Sequence, residues 1–387
     1  MAPTTRPAIL AAFADCGKGG KVLLPSANYT VAQPMTTHME GGSFDLHGYL
    51  SFTPDIDYGS RIPNPRHRHI TGSDFVVDGH GTGGVFGNGQ VWYSWAQGAG
   101  NLFGTNFRII QPQFWASMVW NSTDILLTDF YVNAINMDPA VRHICLKESE
   151  KFIFFLRRVV SIGCNNTDGS DTYASKRITY QNWVYQGGDD CIAFKPNSTQ
   201  ITARNVSCTS LNGMTFGSIG QYPDSTSLSR TSFVRNHPTA ELEGGGPYSA
   251  QLDGGAYFKS WIGVDVGTPP NGGGGGHGYC KNVTIRNLHI INATVPLLLT
   301  SELTYSRLNA TYANTSTFIW ERHPLLQCHR HLEHWASDST LSAAPPRHAQ
   351  GGHLRDINLT PVGGVATSRD TVCHNFFNYT GLPQCTA

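Results

Sequence analysis

The sequence predicts an all-β protein, a single-stranded right-handed parallel β-helix that begins with a short capping helix. Three observations support this fold class. First, 42 of the 387 residues are glycine and only 14% are charged, a composition typical of turn-rich β proteins. Second, short β-type runs end at Gly, Asn or Asp, as strands that lead into turns do. Third, several runs share a weak repeat in which Asn flanks alternating apolar residues, which indicates a solenoid.

The first element is a helix over residues 6–15. Ile9, Leu10 and Phe13 recur at helical spacing, and Gly17 provides a stop signal. After the helix the chain reads as short strands with little further helix. We expect them at Lys21–Leu24, Phe75–Val77, Ile125–Val132, Arg177–Val184, Gln200–Cys208, Tyr279–Ile291 and Leu354–Leu359.

The repeat length favours a β-helix over an antiparallel sandwich. Two of the similar runs begin 24 residues apart, at Lys176 and Gln200, which fits one coil that buries its apolar side against the next. A sandwich needs frequent tight hairpins, and Asn-Gly dipeptides such as Asn88-Gly89 and Asn212-Gly213 are too rare for that.

Residues 1–387 are predicted to form one β-helix domain in which two segments do not fit the repeat. Residues 141–164 are basic and poor in glycine, and residues 321–353 hold six of the 16 histidines. Each segment is either a helical insertion or long surface loop, or an error of the gene model such as a retained intron. We adopt the error as our hypothesis for both, because the repeat resumes abruptly after each.

Charge and hydropathy argue against two kinds of partner. Lys+Arg and Asp+Glu are both 27, and a chain without a basic excess is not expected to bind nucleic acid. No run of 18 apolar residues occurs, so no transmembrane helix and no membrane partner are expected. Eleven Asn-x-Ser/Thr sequons predict a secreted, extracellular glycoprotein. Because residues 1–10 lack the features of a signal peptide, we expect this N-terminus to be trimmed or wrongly assigned.

The densest acidic cluster is predicted where two turns lie one coil apart. Asp189 and Asp190 follow Asp168 by 21 and 22 residues. Residues one coil apart stack about 4.8 Å from each other, so three carboxyl groups should converge. Like charges so close raise the pKa of one group, and a protonated acid beside ionised carboxylates suits glycoside hydrolysis. The spacing alone leaves two alternatives open, solvated turn aspartates or a calcium site.

Four motifs accompany these aspartates. They are Asn166-Thr-Asp-Gly, Gly187-Gly-Asp-Asp-Cys-Ile-Ala-Phe-Lys, Asn212-Gly-Met-Thr-Phe-Gly-Ser-Ile-Gly and Gly254-Gly-Ala-Tyr-Phe-Lys-Ser-Trp. Together they resemble glycoside hydrolase family 28, the polygalacturonase family, and the likeness runs from Ala8 to about Tyr305. It implies a β-helix with a cleft on one face and inverting hydrolysis of pectic polysaccharide, without a cofactor or a metal.

The resemblance also implies roles for individual residues. Asp189 resembles the general acid that protonates the glycosidic oxygen, and Asp168 and Asp190 resemble the pair that activates water. Lys259 resembles a lysine that binds the carboxylate of a uronate. Tyr305 resembles a family tyrosine at the substrate site.

Two departures from the family pattern concern specificity. Asn212 stands where the family usually has His, and Tyr257 stands where it usually has Arg. Asn cannot titrate, and Tyr offers a stacking face in place of a bidentate fork. Such departures are similar to those of exo-acting and rhamnogalacturonan-directed branches. We expect Tyr222, Tyr257 and Trp261 to line the cleft.

Nine cysteines occur, an odd number. Cys191 and Cys208 resemble a family disulfide, and Cys373 and Cys385 resemble a terminal clamp. Free buried thiols are the alternative for each pair.

The sequence therefore predicts a secreted, monomeric exo-polygalacturonase that hydrolyses α-1,4-galacturonosyl linkages. The alternatives within the family are a rhamnogalacturonan hydrolase and an α-L-rhamnosidase. Outside the enzyme class, the alternative is a pectin-binding protein whose catalysis is impaired by Asn212 and Tyr257. A lyase on the same scaffold is disfavoured by the three aspartates with Lys259.

Overall fold

The structure is a computed structural model that describes most of the first three quarters of the chain. It describes residues 5–25, 28–33, 35–54, 69–89, 105–135, 166–210, 212–222, 229–232, 240–243, 254–269 and 272–281, and beyond them shorter stretches that include every strand named below.

The described residues form one α-helix, one short 3-10 helix and a long series of strands. Helix α1 spans Arg6–Cys16 and the 3-10 helix spans Ala310–Tyr312. The strands are β1 (Lys21–Leu24), β2 (Asn28–Val31), β3 (Thr36–Leu46), β4 (Tyr49–Phe52), β5 (His69–Asp78), β6 (Gly84–Phe86), β7 (Arg108–Ile110), β8 (Met118–Trp120), β9 (Thr123–Asn133), β10 (Ser170–Tyr173), β11 (Lys176–Gln186), β12 (Asp190–Phe194), β13 (Thr199–Thr209), β14 (Asn212–Ile219), β15 (Ser229–Ser232), β16 (Ala240–Glu243), β17 (Gly254–Trp261), β18 (His277–Lys281), β19 (Ile285–Arg286), β20 (Leu288–Ala293), β21 (Leu297–Leu303), β22 (Thr317–Glu321), β23 (Leu326–Gln327), β24 (Glu333–Trp335), β25 (Thr340–Ser342), β26 (Ala349–Gln350), β27 (Leu354–Arg355), β28 (Thr371–His374) and β29 (Cys385–Thr386).

These strands stack as the coils of a parallel β-helix. One sheet holds nine strands in the order β29-β28-β25-β21-β17-β14-β12-β10-β8, and a second holds fourteen, with shorter sheets beside them. In the second sheet Lys176 of β11 pairs in parallel with Thr199 of β13, 23 positions later, so a regular coil has nearly the predicted length. The predicted fold class is confirmed.

The interior of the β-helix is filled by side chains that stack from coil to coil. The Phe194 and Phe216 rings lie 4.9 Å apart, and the Phe216 and Phe258 rings lie 4.3 Å apart and nearly parallel. All five residues of β12 are buried. Strands buried on both faces are typical of covered parallel sheets. This stack packs against the inner face of the nine-stranded sheet. The candidate site lies on the outer face of the same sheet.

Helix α1 covers the N-terminal end of the β-helix, as predicted. Ile9 and Phe13 are buried, and the Phe13 ring meets the edge of the Phe44 ring at 5.0 Å. The Gly17 N–H donates to the Phe13 carbonyl and ends the helix. Terminal coils of solenoids need such a cap. Among the described residues, none of the helices has the length and apolar character needed to cross a membrane.

Of the two atypical segments, the structure describes only part of one, residues 321–353. Residues 141–164 lie outside the described residues. In the range 321–353 the structure has four short strands, β23 to β26, and each pairs in parallel with a strand of an earlier coil. The described part of this range is therefore built from strands and not from a helix. Strands of two or three residues are too short to give a periodic signal in the sequence.

Candidate functional site

The candidate site lies where β10 and β12, two neighbouring strands of the nine-stranded sheet, begin. Ser170 pairs with Ile192, a shift of 22 residues, and the Gly169 N–H donates to the Asp190 carbonyl at 2.9 Å. Asp168, in the turn before β10, is thereby brought beside Asp190. The spacing in the sequence predicted this approach, because a solenoid repeats its geometry once per coil.

Tyr185 joins the two turns that carry the carboxyl groups. Its buried hydroxyl donates to the Thr167 carbonyl at 2.8 Å and accepts the Asp189 N–H at 3.3 Å. A Cβ atom at Gly187 would lie 2.1 Å from this hydroxyl, and one at Gly169 would lie 2.9 Å from the ring. Glycine is therefore required at both positions to leave room for the ring.

Asp189 is held by backbone amides. Its carboxylate accepts the Asn166 N–H at 2.6 Å and the Asp190 N–H at 2.9 Å. Desolvation of the carboxyl is the largest effect on Asp189, and together with the charge of Asp190 it raises the pKa of Asp189. The charge of Lys259 and the two amide bonds oppose this rise without cancelling it. The pKa of Asp189 therefore lies above its ordinary value, the direction that a general acid requires.

Asp190 behaves in the opposite way. It is buried and accepts the Thr215 hydroxyl at 2.7 Å, and Lys259 Nζ donates to its two oxygens at 3.3 and 3.0 Å. Burial alone would raise the pKa of Asp190. The positive charges of Lys259 and Lys195 outweigh this effect and lower the pKa below its ordinary value. Two neighbouring carboxyl groups thus favour opposite protonation states, the pattern that separates an acid from a base.

Two further carboxyl groups lie beneath this pair. Burial, followed by the charges of Asp171, Asp189 and Asp190, raises the pKa of Asp168 well above its ordinary value. Burial raises the pKa of Asp171 to about 6. Lys195 Nζ lies 3.7 Å from Asp168 Oδ2 and 3.2 Å from Asp171 Oδ1.

The other predicted site residues lie on strands β14 and β17 or in the loop that follows β14. Asn212 pairs with Asp190 in the ladder. Tyr257 lies beside Lys259, whose Nζ is 4.8 Å from the centre of the tyrosine ring. Tyr222 follows β14 and is 44% exposed, as a residue that stacks on a sugar must be. The structure thus brings Lys259 and Tyr257 to the carboxyl cluster and leaves Tyr222 open to solvent.

The structure corrects the expectation for Trp261. Its exposed fraction is 0%, so it belongs to the core and does not line a cleft. The ladder is irregular at this point: Lys259 pairs with Thr300 and Trp261 pairs with Leu303, so β21 has one extra residue opposite β17. Tyr305 lies outside the described residues, and its role stays a prediction.

The predicted disulfide between Cys191 and Cys208 is confirmed. It joins β12 to β13 directly behind Asp190 and closes a loop of 17 residues, which contributes about 3 kcal/mol in the chain-entropy model. Cys373 and Cys385 lie on β28 and β29, but their side chains are outside the described part, so the terminal clamp stays a prediction.

The sequence analysis missed five residues of the site. They are Trp115, Asp171, Tyr185, Lys195 and Thr215. One signal was available: Lys195 ends the apolar run Cys-Ile-Ala-Phe, and a charge that follows a buried strand needs a counter-charge nearby. The same reasoning applies to Asp171, three residues after Asp168.

The charges of the cluster argue against the calcium alternative. The ammonium groups of Lys195 and Lys259 lie among the carboxylates, where a cation would otherwise supply the positive charge. Within the described residues no group of three or more His, Cys, Asp or Glu side chains is arranged to hold a metal ion.

Comparison with known proteins identifies the family to which this site belongs. The model of the family described as glycosyl hydrolases family 28 matches residues 17–232, more than half of the chain. The chain belongs to glycosyl hydrolases family 28. The predicted family and the predicted class of enzyme, a glycoside hydrolase, are thereby confirmed.

Family 28 relatives of this chain carry two kinds of name. An Aspergillus niger protein named galacturan 1,4-alpha-galacturonidase A is 42% identical over 344 residues, which cover 81% of this chain and 74% of the relative. Alpha-L-rhamnosidase rgxB of Aspergillus niger is 30% identical over 336 residues, covering 80% and 70%. The crystal structure of endo-xylogalacturonan hydrolase from Aspergillus tubingensis has a TM-score of 0.69 over 100% of this chain and 96% of the other, at 18% identity, which supports the fold alone.

Proposed function

We propose that the protein is an exo-acting galacturonidase that releases galacturonic acid from the end of an α-1,4-linked galacturonan by inverting hydrolysis. The observation that carries the mechanism is the opposite protonation preference of Asp189 and Asp190. The similarity to a galacturan 1,4-alpha-galacturonidase supports the substrate.

In the proposed reaction the protonated Asp189 donates its proton to the glycosidic oxygen as the bond from that oxygen to the anomeric carbon breaks. The ionised Asp190 accepts a proton from a water molecule, and Asp168 beside it, whose pKa is raised, helps to position this water. The oxygen of this water forms the new bond on the opposite face of the sugar. One proton leaves the acid and one reaches the base, so the charge of the site is unchanged after one turnover.

Lys259 is proposed to serve both the base and the substrate. A lysine ammonium has three donors, and the structure gives two contacts from Lys259 to Asp190. The remaining donor is available for a uronate carboxylate. Tyr257 and Tyr222 offer rings against the apolar face of a sugar, and Asn212 offers an amide next to Asp190.

The test is an analysis of products over time. Purified protein is incubated with polygalacturonic acid and, separately, with de-acetylated rhamnogalacturonan, and the products are separated by anion-exchange chromatography. Galacturonic acid alone from the first time point is the expected result. The matched control is Asp189→Asn, which should lower turnover at least about 10²-fold because the proton donor is lost. An early ladder of oligomers would mean endo action, and full activity of the variant would overturn the role of Asp189.

The second candidate is an α-L-rhamnosidase or another rhamnogalacturonan-directed hydrolase. One observation favours it: Tyr257 stands where the family usually has an Arg, so the site has one cation fewer for a uronate. Release of free rhamnose, or products from rhamnogalacturonan only, would establish this candidate. No product from either polymer by folded protein would point to a pectin-binding protein.

We also expect the protein to be secreted, glycosylated and monomeric. Four of the sequon asparagines are exposed in the structure, namely Asn28, Asn121, Asn205 and Asn314. A mass decrease after treatment with an amidase that removes N-linked glycans, and elution as a monomer in size-exclusion chromatography, are the expected results.

A further inference from the structure

We propose that Lys195, supported by Trp115, is a positioning residue that keeps the water-activating base ionised and balances the charge of the buried aspartates beneath it. This inference rests on the proposed roles of Asp189 and Asp190. The family motifs directed attention to Lys259 as the lysine of the site, but Lys195 contacts more of the carboxyl groups.

Lys195 Nζ lies close to three carboxylates. It is 3.2 Å from Asp171, 3.7 Å from Asp168 and 4.0 Å from Asp190. The Trp115 ring lies on another side of the ammonium, with its centre 5.1 Å from Nζ. The side chain is 13% exposed, the same fraction as that of Lys259, but its ammonium is shared among three carboxylates and the ring of Trp115.

The backbone holds both Lys195 and Trp115 in place. The Lys195 N–H donates to the Thr172 carbonyl at 3.0 Å, which ties the end of β12 to β10. The residue after Trp115, Ala116, donates its N–H to the Asp168 carbonyl at 2.7 Å. The ring, the ammonium and the turn of Asp168 therefore form one unit.

The charges around this unit determine what the loss of Lys195 must do. Lys195 faces Asp168, Asp171 and Asp190, and Lys259 lies on the far side of Asp190. Removing one ammonium leaves Lys259 as the cation that contacts Asp190, so the pKa of Asp190 must rise. The pKa of Asp189 depends on burial, Asp190 and Lys259, and should move less.

The two lysines should therefore be separable by their pH profiles. The acid limb of kcat/KM reports the base and the alkaline limb reports the acid. Lys195→Met should shift the acid limb to higher pH by about one unit, because a nearby opposite charge lowers the pKa of a carboxyl group by at least about that much. At a fixed pH on this limb, kcat/KM of the variant should therefore be about tenfold lower than that of the native protein. KM for oligogalacturonides and the alkaline limb should change little.

Three further variants make the test specific. Lys195→Arg keeps the charge and should restore the acid limb. Trp115→Leu removes the ring and should move the limb in the same direction as Lys195→Met. Lys281→Met is the matched control, because Lys281 also lies over an aromatic ring, that of Tyr279 at 4.6 Å, but on the fourteen-stranded sheet. It should leave the profile unchanged.

A measurement without substrate separates this inference from the proposed function. Titration of ¹³C-labelled aspartate by NMR should show a carboxyl with a low pKa in the native protein and a higher one in Lys195→Met, even if galacturonan is not hydrolysed. An unmoved titration would overturn the proposal. So would a rise of KM for uronate substrates with an unmoved acid limb, or equal loss of activity in the Met and Arg variants.

Discussion

Tyr185 shows how one hydroxyl group can determine the geometry of the site. It bonds to the turn that carries Asp168 through the Thr167 carbonyl, and to the turn that carries Asp189 through the amide of that residue. The two turns belong to different coils and are 21 residues apart in the sequence. The relative position of the two carboxyl groups therefore depends on a residue that is itself buried.

Tyr185→Phe tests this role, because it removes both hydrogen bonds and keeps the ring. We expect a loss of about 1–3 kcal/mol in the free energy of unfolding, because a buried carbonyl and amide lose their partner. We also expect a fall in kcat of up to about 10²-fold, because the acid is no longer held in place. The matched control is Tyr180→Phe. The Tyr180 hydroxyl is equally buried but bonds to Ser170 at 2.9 Å, so this variant should lose stability and keep kcat. Equal effects on kcat would contradict the positioning role.

Individual residues also show why some parts of the site could be predicted from the sequence and others could not. Asp168 and Asp190 were placed together from the sequence because the coil length fixes their separation. Lys195 was not assigned, since Asp168, Asp171 and Trp115 come from earlier coils and the strand that precedes Lys195 reads as core. Trp261 was misplaced because its complete burial depends on tertiary packing that the sequence does not show.

At the scale of the coils, one turn of the β-helix is much longer than its neighbours. Thr123 of β9 pairs with Lys176 of β11, 53 positions later, whereas Lys176 pairs with Thr199 after 23. The ladder is continuous on both sides of this long coil. The sequence predicted an atypical segment at 141–164, inside the long coil, and the regular pairing around it supports an insertion into a complete repeat.

Deletion of residues 141–164 tests whether the insertion is needed. Lys176 would then follow Thr123 by 29 positions, still more than the 23 positions of a regular coil. Loop length costs only about 0.6 kcal/mol per doubling, so shortening should not destabilise the fold. We expect soluble protein with an unchanged or slightly higher Tm and retained hydrolysis, measured by calorimetry and by product release. Unfolded protein would contradict the insertion and also the hypothesis of a gene-model error.

At the scale of the whole molecule, charge is balanced overall but not within the site. The chain has 27 basic and 27 acidic residues. Within the described residues, the site brings Asp168, Asp171, Asp189 and Asp190 together with two cations, Lys195 and Lys259. Buried charges without partners are costly, so the folded protein favours protonated forms of some of these carboxyl groups. The stability of the whole fold must therefore depend on pH.

The raised pKa of Asp171 determines whether the stability of the fold rises or falls with pH. Burial raises its pKa from 3.8 in the unfolded chain to about 6 in the fold. The folded state thus binds more protons between these values, and the stabilising contribution is complete below about pH 4 and lost as the pH rises through about 6. Asp168 acts in the same direction, whereas the lowered pKa of Asp190 matters only at lower pH. Between about pH 4 and pH 7 we expect a loss of about 1–3 kcal/mol and a falling Tm.

Calorimetry of Asp171→Asn at several pH values tests this assignment. The variant carries no titratable group at this position, so its Tm should fall less between about pH 4 and pH 7 than that of the native protein. The matched control is Asp124→Asn. Asp124 is exposed, and its pKa is lowered by the hydrogen bond from Arg177, so its contribution changes only below its ordinary value of 3.8 and the slope above that should persist. If Asp171→Asn keeps the full slope, the pH dependence arises elsewhere, and Asp171 is ionised throughout this range as a permanent partner of Lys195.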